Sequence, residues 1–456
     1  MSDVCRFDDS LPRFVKIISS KLSNDQMESG VVVRDVSGCL GFFVSSDLDA
    51  AMIEDITHLI RNELGYYARP DRLIVNASAP GAKRILEADS VLTIEVRLDG
   101  GSLWIRYIDR RIVGADWLRR PPASHPSLPP EEPVRAQRVV FCSLKGGVGR
   151  STALSVVAAE QARRGRNVLV VDLDLEAPGI GSLLLSDERT PKFGAVDYLV
   201  ERNFWTTPQG SEHVHPDRED LVRTMVGTCS LTSGAGLVDV VPAIGTRTLE
   251  EPGNYLAKLS RAMIEGLAVT GDPASLATKL SDMLADLERQ RRYDLVFIDV
   301  RAGLAELAAG PLLALGAEVL IFGTAQPQTI QDLRFLFAHL ATLTGERGSS
   351  PWIKLKMVHA KATQAPMAAR FRDELWDLFA SYLYEESLGL DDFNFDANAP
   401  EAPHFPLVIP LDTAFADWDP VRNPGNLLEN YYSRTFDELI RYIDDLLIEG
   451  ENDDEK

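Results

Sequence analysis

"RVVFCSLKGGVGRSTALSVVAAEQARRGRNVLVVDLD", residues 138–174, contains two apolar runs separated by a glycine-rich turn and an alanine-rich stretch. Arg138–Leu144 reads as a short buried strand and Asn167–Asp174 as another. Between them Ser151–Arg164 has the composition of a helix, which Gly165 closes. Strand, helix and strand in this order make a βαβ unit. The pattern continues downstream in "GLVDVVPA" (236–243), "YDLVFIDV" (293–300), "EVLIFGTA" (318–325), "IKLKMVHA" (353–360) and "FPLVIPLD" (405–412). So many apolar strands alternating with helices predict an α/β fold with a doubly wound, mostly parallel sheet. Such a sheet places its ligands at the carboxyl ends of the strands.

The turn itself, "LKGGVGRST" (144–152), carries the chemistry. Gly146, Gly147 and Gly149 allow backbone N–H groups to turn inward, Ser151 and Thr152 add hydroxyls, and the following helix presents its positive end. Together these describe a phosphate-binding loop. The common spacing G-x-x-x-x-G-K-[ST] would require glycine at 144 and lysine at 150. The sequence has Leu144 and Arg150 instead, while Lys145 places a cation directly ahead of the glycine pair. Two strands also end in acid: "VLVVDLDLEAPG" (168–179) supplies Asp172 and Asp174, and "YDLVFIDVRAG" (293–303) supplies Asp299. Asp172 and Asp174 leave one face if strand geometry persists. The other use of each of these aspartates is to cap a strand end or loop.

These three motifs, in this order, resemble those of the deviant Walker A ATPases of the ParA/MinD type, over roughly residues 138–445. The loop is most similar to a bacterial subgroup in which K-G-G-V-G-R has arginine built in. The resemblance implies a P-loop fold that binds ATP and Mg2+ and dimerises around ATP. Lys145 matches the signature lysine that reaches the partner's phosphates. The run Lys145, Gly146, Gly147, Val148, Gly149, Arg150, Ser151 and Thr152 matches the cofactor-binding loop, with Thr152 beside the α-phosphate. Ser151, Asp299 and Asp172 match the metal shell, Asp174 matches the carboxylate that orients water, and Arg150 stands with Lys145 and Asp174 as a catalytic candidate. The family often has an asparagine for adenine after the strand equivalent to "IKLKMV". This chain continues "HAKATQ" (359–364), with His359 as a possible replacement or a structural residue.

The rest of the chain sets the context. A run of 19 residues with six prolines, "RRPPASHPSLPPEEPVRAQ" (119–137), marks a linker over 119–136. Ahead of it, residues 1–118 read as an α+β interaction or regulatory domain, with helical spacing in "LPRFVKIISSKL" (11–22) and a hairpin in "SVLTIEVRL" (90–98) and "SLWIRYID" (102–109) around "DGG". Residues 137–456 are expected to form the ATPase domain with its acidic tail. The 456 residues carry 68 acidic against 47 basic side chains, a net charge of −21, which gives no strong nucleic-acid signal and disfavours anionic lipid. The basic clusters Arg163–Arg166 and Arg289–Arg292 fall where helices should end, and are expected to face the helix dipole. Cys5, Cys39, Cys142 and Cys229 show neither zinc nor disulfide spacing, so a reducing compartment and a cytoplasmic location are expected. "LAAGPLLALGAEVLIFGTA" (307–325), the most membrane-like run, reads as a helix followed by a buried strand, so no transmembrane segment is expected. "SRTFDELIRYIDDLLIEGENDDEK" (433–456) has an apolar helical face but an acidic opposite face, so it is expected to pack on its own domain. His213 and His215, near Asp217, have metal-like spacing without a further ligand.

These readings lead to an ATP- and Mg2+-dependent switch that dimerises, hydrolyses ATP slowly to ADP and phosphate, and signals its state to a protein partner through the N-terminal domain. Two alternatives remain at this stage: a nucleotide-binding scaffold with negligible hydrolysis, and a phosphotransferase built on the same loop.

Overall fold

The computed structural model describes residues 5–118 except 70, 72, 89, 111–113 and 115, then 136–205, 216–231, 234–264, 275–343, 354–384 except 364, and 395–454. Most of the proline-rich stretch and the histidine pair at 213 and 215 lie outside these residues. The chain divides into two compact units, residues 1–119 with 342–348, and residues 120–341 with 349–456.

The first unit is built on a five-stranded sheet: β1 (Val31–Arg34), β2 (Leu40–Phe43), β3 (Ile74–Val75), β4 (Leu92–Leu98) and β5 (Gly101–Asp109), in the order β3-β2-β1-β5-β4. β4 and β5 form the hairpin, and the pairing of Leu98 with Gly101 leaves Asp99 and Gly100 as a two-residue turn. Side chains alternate between the two faces. Val32, Phe42 and Ile105 meet the helices Phe7–Ser19 and Ala50–Leu64 through Phe14, Ile18, Ile56 and Ile60, whereas Val31, Val33 and Phe43 cluster with Ala82. The first helix starts earlier than the periodicity from Leu11 implies. The cause is local, since the Asp9 carboxylate accepts the Arg6 backbone N–H at 3.0 Å and closes the first turn.

Among the described residues the second unit has eight strands: β6 (Gln137–Ser143), β7 (Asn167–Leu173), β8 (Gly227–Thr228), β9 (Leu237–Val241), β10 (Leu295–Val300), β11 (Glu318–Gly323), β12 (Leu355–Ala362) and β13 (Leu407–Pro410). Their order is β13-β12-β11-β6-β10-β7-β9-β8, and every pairing is parallel except the edge pair β8–β9. Each expected strand is present, and β8 is added as a two-residue edge. In β10 all six residues are buried, as required of a strand covered on both faces. Phe141 and Phe297 on β6 and β10 pack edge to face at 5.3 Å, in a core that also takes in Val156, Val157 and Leu154 from the helix Arg150–Arg163.

The C-terminal helix, Glu429–Asp454, lies on this same core through Tyr432, Phe436, Leu439, Ile440 and Ile443, as its apolar face predicts. At the join, the buried Glu160 carboxylate accepts from Arg163 Nε at 2.8 Å, Arg164 Nε at 2.6 Å and Tyr432 Oη at 2.6 Å. Asp444 accepts from Arg166 at 2.6 Å and also pairs with Arg164. The cluster Arg163–Arg166 therefore meets carboxylates, not only a helix dipole. Arg289 and Arg291 likewise pair with Asp286 and Asp239. Among the described residues no helix is long and apolar enough to cross a membrane. The membrane-like run resolves into the helix Glu306–Leu313 followed by β11.

Candidate functional site

Strand order decides what the loop faces. β6 runs between β10 and β11, so the chain leaving its carboxyl end emerges beside the end of β10, with the end of β7 next beyond it. Asp299 on β10 pairs in register with Phe141 on β6 and with Asp172 on β7, which sets two carboxylates side by side on adjacent parallel strands. Gly147 and Gly149 have φ of +73° and +89°, a region that L side chains avoid, and a Cβ at either would meet nothing within 4 Å. The glycines are thus needed for backbone conformation, and the space above them is open. Gly149 then starts the helix Arg150–Arg163. Val148 is buried in the core beneath the loop, so only its backbone faces the open side.

The structure brings the predicted residues to one place. Arg150, only 8% exposed, directs its guanidinium at carboxylates: Nε donates to Asp299 Oδ1 at 2.5 Å and Nη2 to Asp174 Oδ2 at 3.3 Å, while Nη1 donates to Ser143 Oγ at 3.3 Å. Ser151 Oγ donates to the other Asp299 oxygen at 2.7 Å. Lys145 donates to the side-chain carbonyl of Gln328. Thr152 is half-buried on the first turn of the helix.

The strand does not run through both Asp172 and Asp174. β7 ends at Leu173, and Asp172 turns its oxygens onto the backbone N–H groups of Asp174 (3.0 Å) and Gly179 (3.2 Å). This is the loop-organising use of aspartate. Burial, then the nearby Asp299 and Asp174 charges, raise the Asp172 carboxyl to about 7 against its two backbone hydrogen bonds. Burial also raises Asp299, with Arg150 and Ser151 opposing it. For Arg150 burial is the largest single influence and works downward, but Asp299 and Asp174 together outweigh it and hold the guanidinium charged.

Several residues at the site carry no sequence signal. Lys361, just beyond "KMVHA", adopts a φ of +53° and donates its Nζ to the Gly147 carbonyl at 2.6 Å. It lies where the β12–β13 register shifts, between His359 and Ala362. Gln328 follows β11 by only five residues. Arg301 and Glu176 form an ion pair between the loops that follow β10 and β7, and the Tyr255 hydroxyl donates to the Leu175 carbonyl. Burial and the Asp172, Asp174 and Glu176 charges raise that hydroxyl to about 12. His359 is buried against Phe371 with ring centroids 4.7 Å apart, Nδ1 lacks a hydrogen-bond partner, and burial lowers its pKa, so it sits as a neutral ring in the core.

The donor set bears on the expected Mg2+. Both oxygens of Asp172, Asp174 and Asp299 already accept hydrogen bonds, the last two from a guanidinium, and Asp174 Oδ1 from the Ala177 N–H at 3.2 Å. Among the described residues no group of three or more His, Cys, Asp and Glu side chains is arranged to hold a metal ion. Arranged in this way, Ser151, Asp299 and Asp172 do not fit a metal shell, because Asp172 is turned onto two backbone N–H groups and Asp299 is held by Arg150, the cation that lies between Asp299 and Asp174.

No protein-family model and no curated protein matches the chain. Solved structures do. The ParA of pNOB8 bound to nonspecific DNA is 13% identical, with 70% of this chain and 99% of that one covered and a TM-score of 0.41. The cell division ATPase MinD of Pyrococcus furiosus is 18% identical, with 68% and 99% covered and a TM-score of 0.40. A ParA family ATPase from Chlorobium tepidum TLS is 17% identical, with 65% and 96% covered and a TM-score of 0.38. At these identities and scores the likeness assigns no activity, and the functional reading rests on the loop and its carboxylates.

Proposed function

We propose that residues 137–456 form a nucleotide-dependent switch of the ParA/MinD type, with ATP as ligand. Its two states are passed to a protein partner through residues 1–118 and the linker 119–136. The observation that carries this reading is the loop at the end of β6, where Gly147 and Gly149 hold positive φ under open space and the helix Arg150–Arg163 begins at once. Backbone N–H groups and a helix N-terminus presented in this way suit a phosphate chain. Lys145 and Lys361 each donate to a neutral acceptor at the loop, so their charge is available to the phosphates.

Lys145 is proposed to reach a second copy across bound ATP. Hydrolysis to ADP and phosphate is proposed to be slow. Asp174, the carboxylate expected to orient water, is held by Arg150 and by the Ala177 N–H, and must be released before it can act as a base or acceptor for water. A scaffold that binds ATP without turnover follows if that release never occurs, so single-turnover phosphate release separates the two readings. Nothing among the described residues favours a phosphotransferase.

Arg163, Arg164, Arg166, Arg289 and Arg291 are tied to Glu160, Asp444, Asp286 and Asp239, which leaves less of this positive charge to track a nucleic-acid backbone. The deciding experiment is solution mass with no nucleotide, with ADP and with a non-hydrolysable ATP analogue. A dimer only with the analogue is expected, and identical mass in all three conditions refutes the switch.

A further inference from the structure

Arg150 sits where two negative strand ends converge, 8% exposed against 2% for the Asp299 side chain and 14% for Asp174. Its planar fork suits this position. Nε reaches Asp299 on β10 and Nη2 reaches Asp174 just past β7, while Nη1 reaches Ser143, a span that a lysine ammonium does not cover. A buried guanidinium so placed neutralises the acids and repels any second cation brought between them. The triphosphate's charge has other partners: Lys145, Lys361, the loop N–H groups and the helix N-terminus.

We infer that Arg150 is the resident counter-cation of this site, taking the place between Asp174 and Asp299 that a divalent metal would need, so that the loop binds a nucleoside triphosphate without a divalent cation. The inference rests on the nucleotide reading above and changes its chemistry. The site then responds to nucleotide and is indifferent to the Mg2+ supply. Asp299 acts through Arg150 as a positioning residue, holding the first turn of the helix beneath the loop by way of Ser151 as well.

The test is calorimetric titration of the full chain with ATP, once in Mg2+ and once in excess EDTA. For the unaltered protein the two dissociation constants should agree within about threefold. A loss of tenfold or more in EDTA overturns the inference and leaves the nucleotide reading standing, whereas absence of binding in both conditions overturns both. Arg150→Met should bind about tenfold or more weakly in EDTA and recover part of that loss in Mg2+, because its carboxylates are then open to metal. An Mg2+-to-EDTA ratio equal to that of the unaltered protein in a folded Arg150→Met refutes the counter-cation role. Should that variant fail to fold, Asp299→Asn serves in its place. Its Mg2+-to-EDTA ratio should stay near one, and a selective loss of affinity in Mg2+ refutes the inference.

Discussion

Replacing Arg150 by methionine keeps most of the aliphatic stem and removes the charge, so the variant isolates the electrostatics of the site. Breaking a buried ion pair by deleting one member costs about 3–5 kcal/mol, because the surviving charge is left without a partner. Two features here reduce that cost. Asp299 keeps the Ser151 hydrogen bond at 2.7 Å, and burial already raises its pKa, so it can take up a proton. Asp174, 14% exposed, can reach water. The expected loss is therefore about 2–4 kcal/mol, or on the order of 5–12 °C in the melting temperature of a unit this size. Urea unfolding followed by circular dichroism measures it. The decisive comparison is the double variant Arg150→Met/Asp299→Asn. Removing the stranded carboxylate should return roughly 2 kcal/mol, a non-additivity that only a direct pair produces. A single variant within about 1 kcal/mol of the parent, or strictly additive effects, would mean that the guanidinium does not rest between the acids.

Further expectations follow from other parts of the molecule. Lys145→Ala should keep nucleotide binding, since the glycines and Ser151 remain, but should lose the analogue-dependent dimer in light scattering. An unchanged dimer removes Lys145 from the interface. Gly149→Ala forces a side chain into φ +89° with no clash to blame, so it should cost about 1–2 kcal/mol from backbone strain alone and weaken ATP binding, as denaturant and titration curves would show. Lys361→Met removes the donor to the Gly147 carbonyl and should weaken ATP binding about three- to tenfold with little effect on melting temperature, whereas Lys361→Arg should retain most of it. Burial pushes the Glu160 carboxyl up, but hydrogen bonds from Arg163, Tyr432 and Arg164 outweigh it and bring it down to about 2. Its folded pKa is thus depressed, so its contribution is complete above about pH 5 and is lost as pH falls towards 2. After allowance for the half-exposed arginines this amounts to on the order of 1–2 kcal/mol, and Glu160→Gln should flatten that part of the stability–pH curve.

The parts of this molecule that were legible in sequence are those set by local composition. β6, β7 and β9–β13 were readable because each is a short, mostly apolar run, and the loop because glycine spacing is a local property. Distances across the sheet were not readable. Arg150 stands next to the glycines in sequence, which suggests a phosphate contact, yet its side chain meets Asp299, 149 residues away, because β6 and β10 are neighbours. The spacing of Asp172 and Asp174 predicted one shared face, but the strand stops between them and the backbone turns onto Asp172. Lys361 was invisible for a similar reason, since nothing in "HAKATQ" signals a positive φ or a register shift. β1 to β3, with four, four and two residues, and β8, with two, are too short to show a period.

The helix Arg150–Arg163 has fixtures at both ends. Its first residue is held among the aspartates, its last turn carries Glu160, which accepts from Tyr432, and Arg164 just past its end pairs with Asp444. Fourteen residues span about 20 Å, and a helix of that length moves as a rod. Any ligand that draws its loop end outward must drag the C-terminal helix with it or break the Glu160 clamp, and either event is visible from the protein's surface. A spectroscopic probe placed on the solvent side of the helix Glu429–Asp454 would therefore act as a gauge of what the loop holds, without touching the loop.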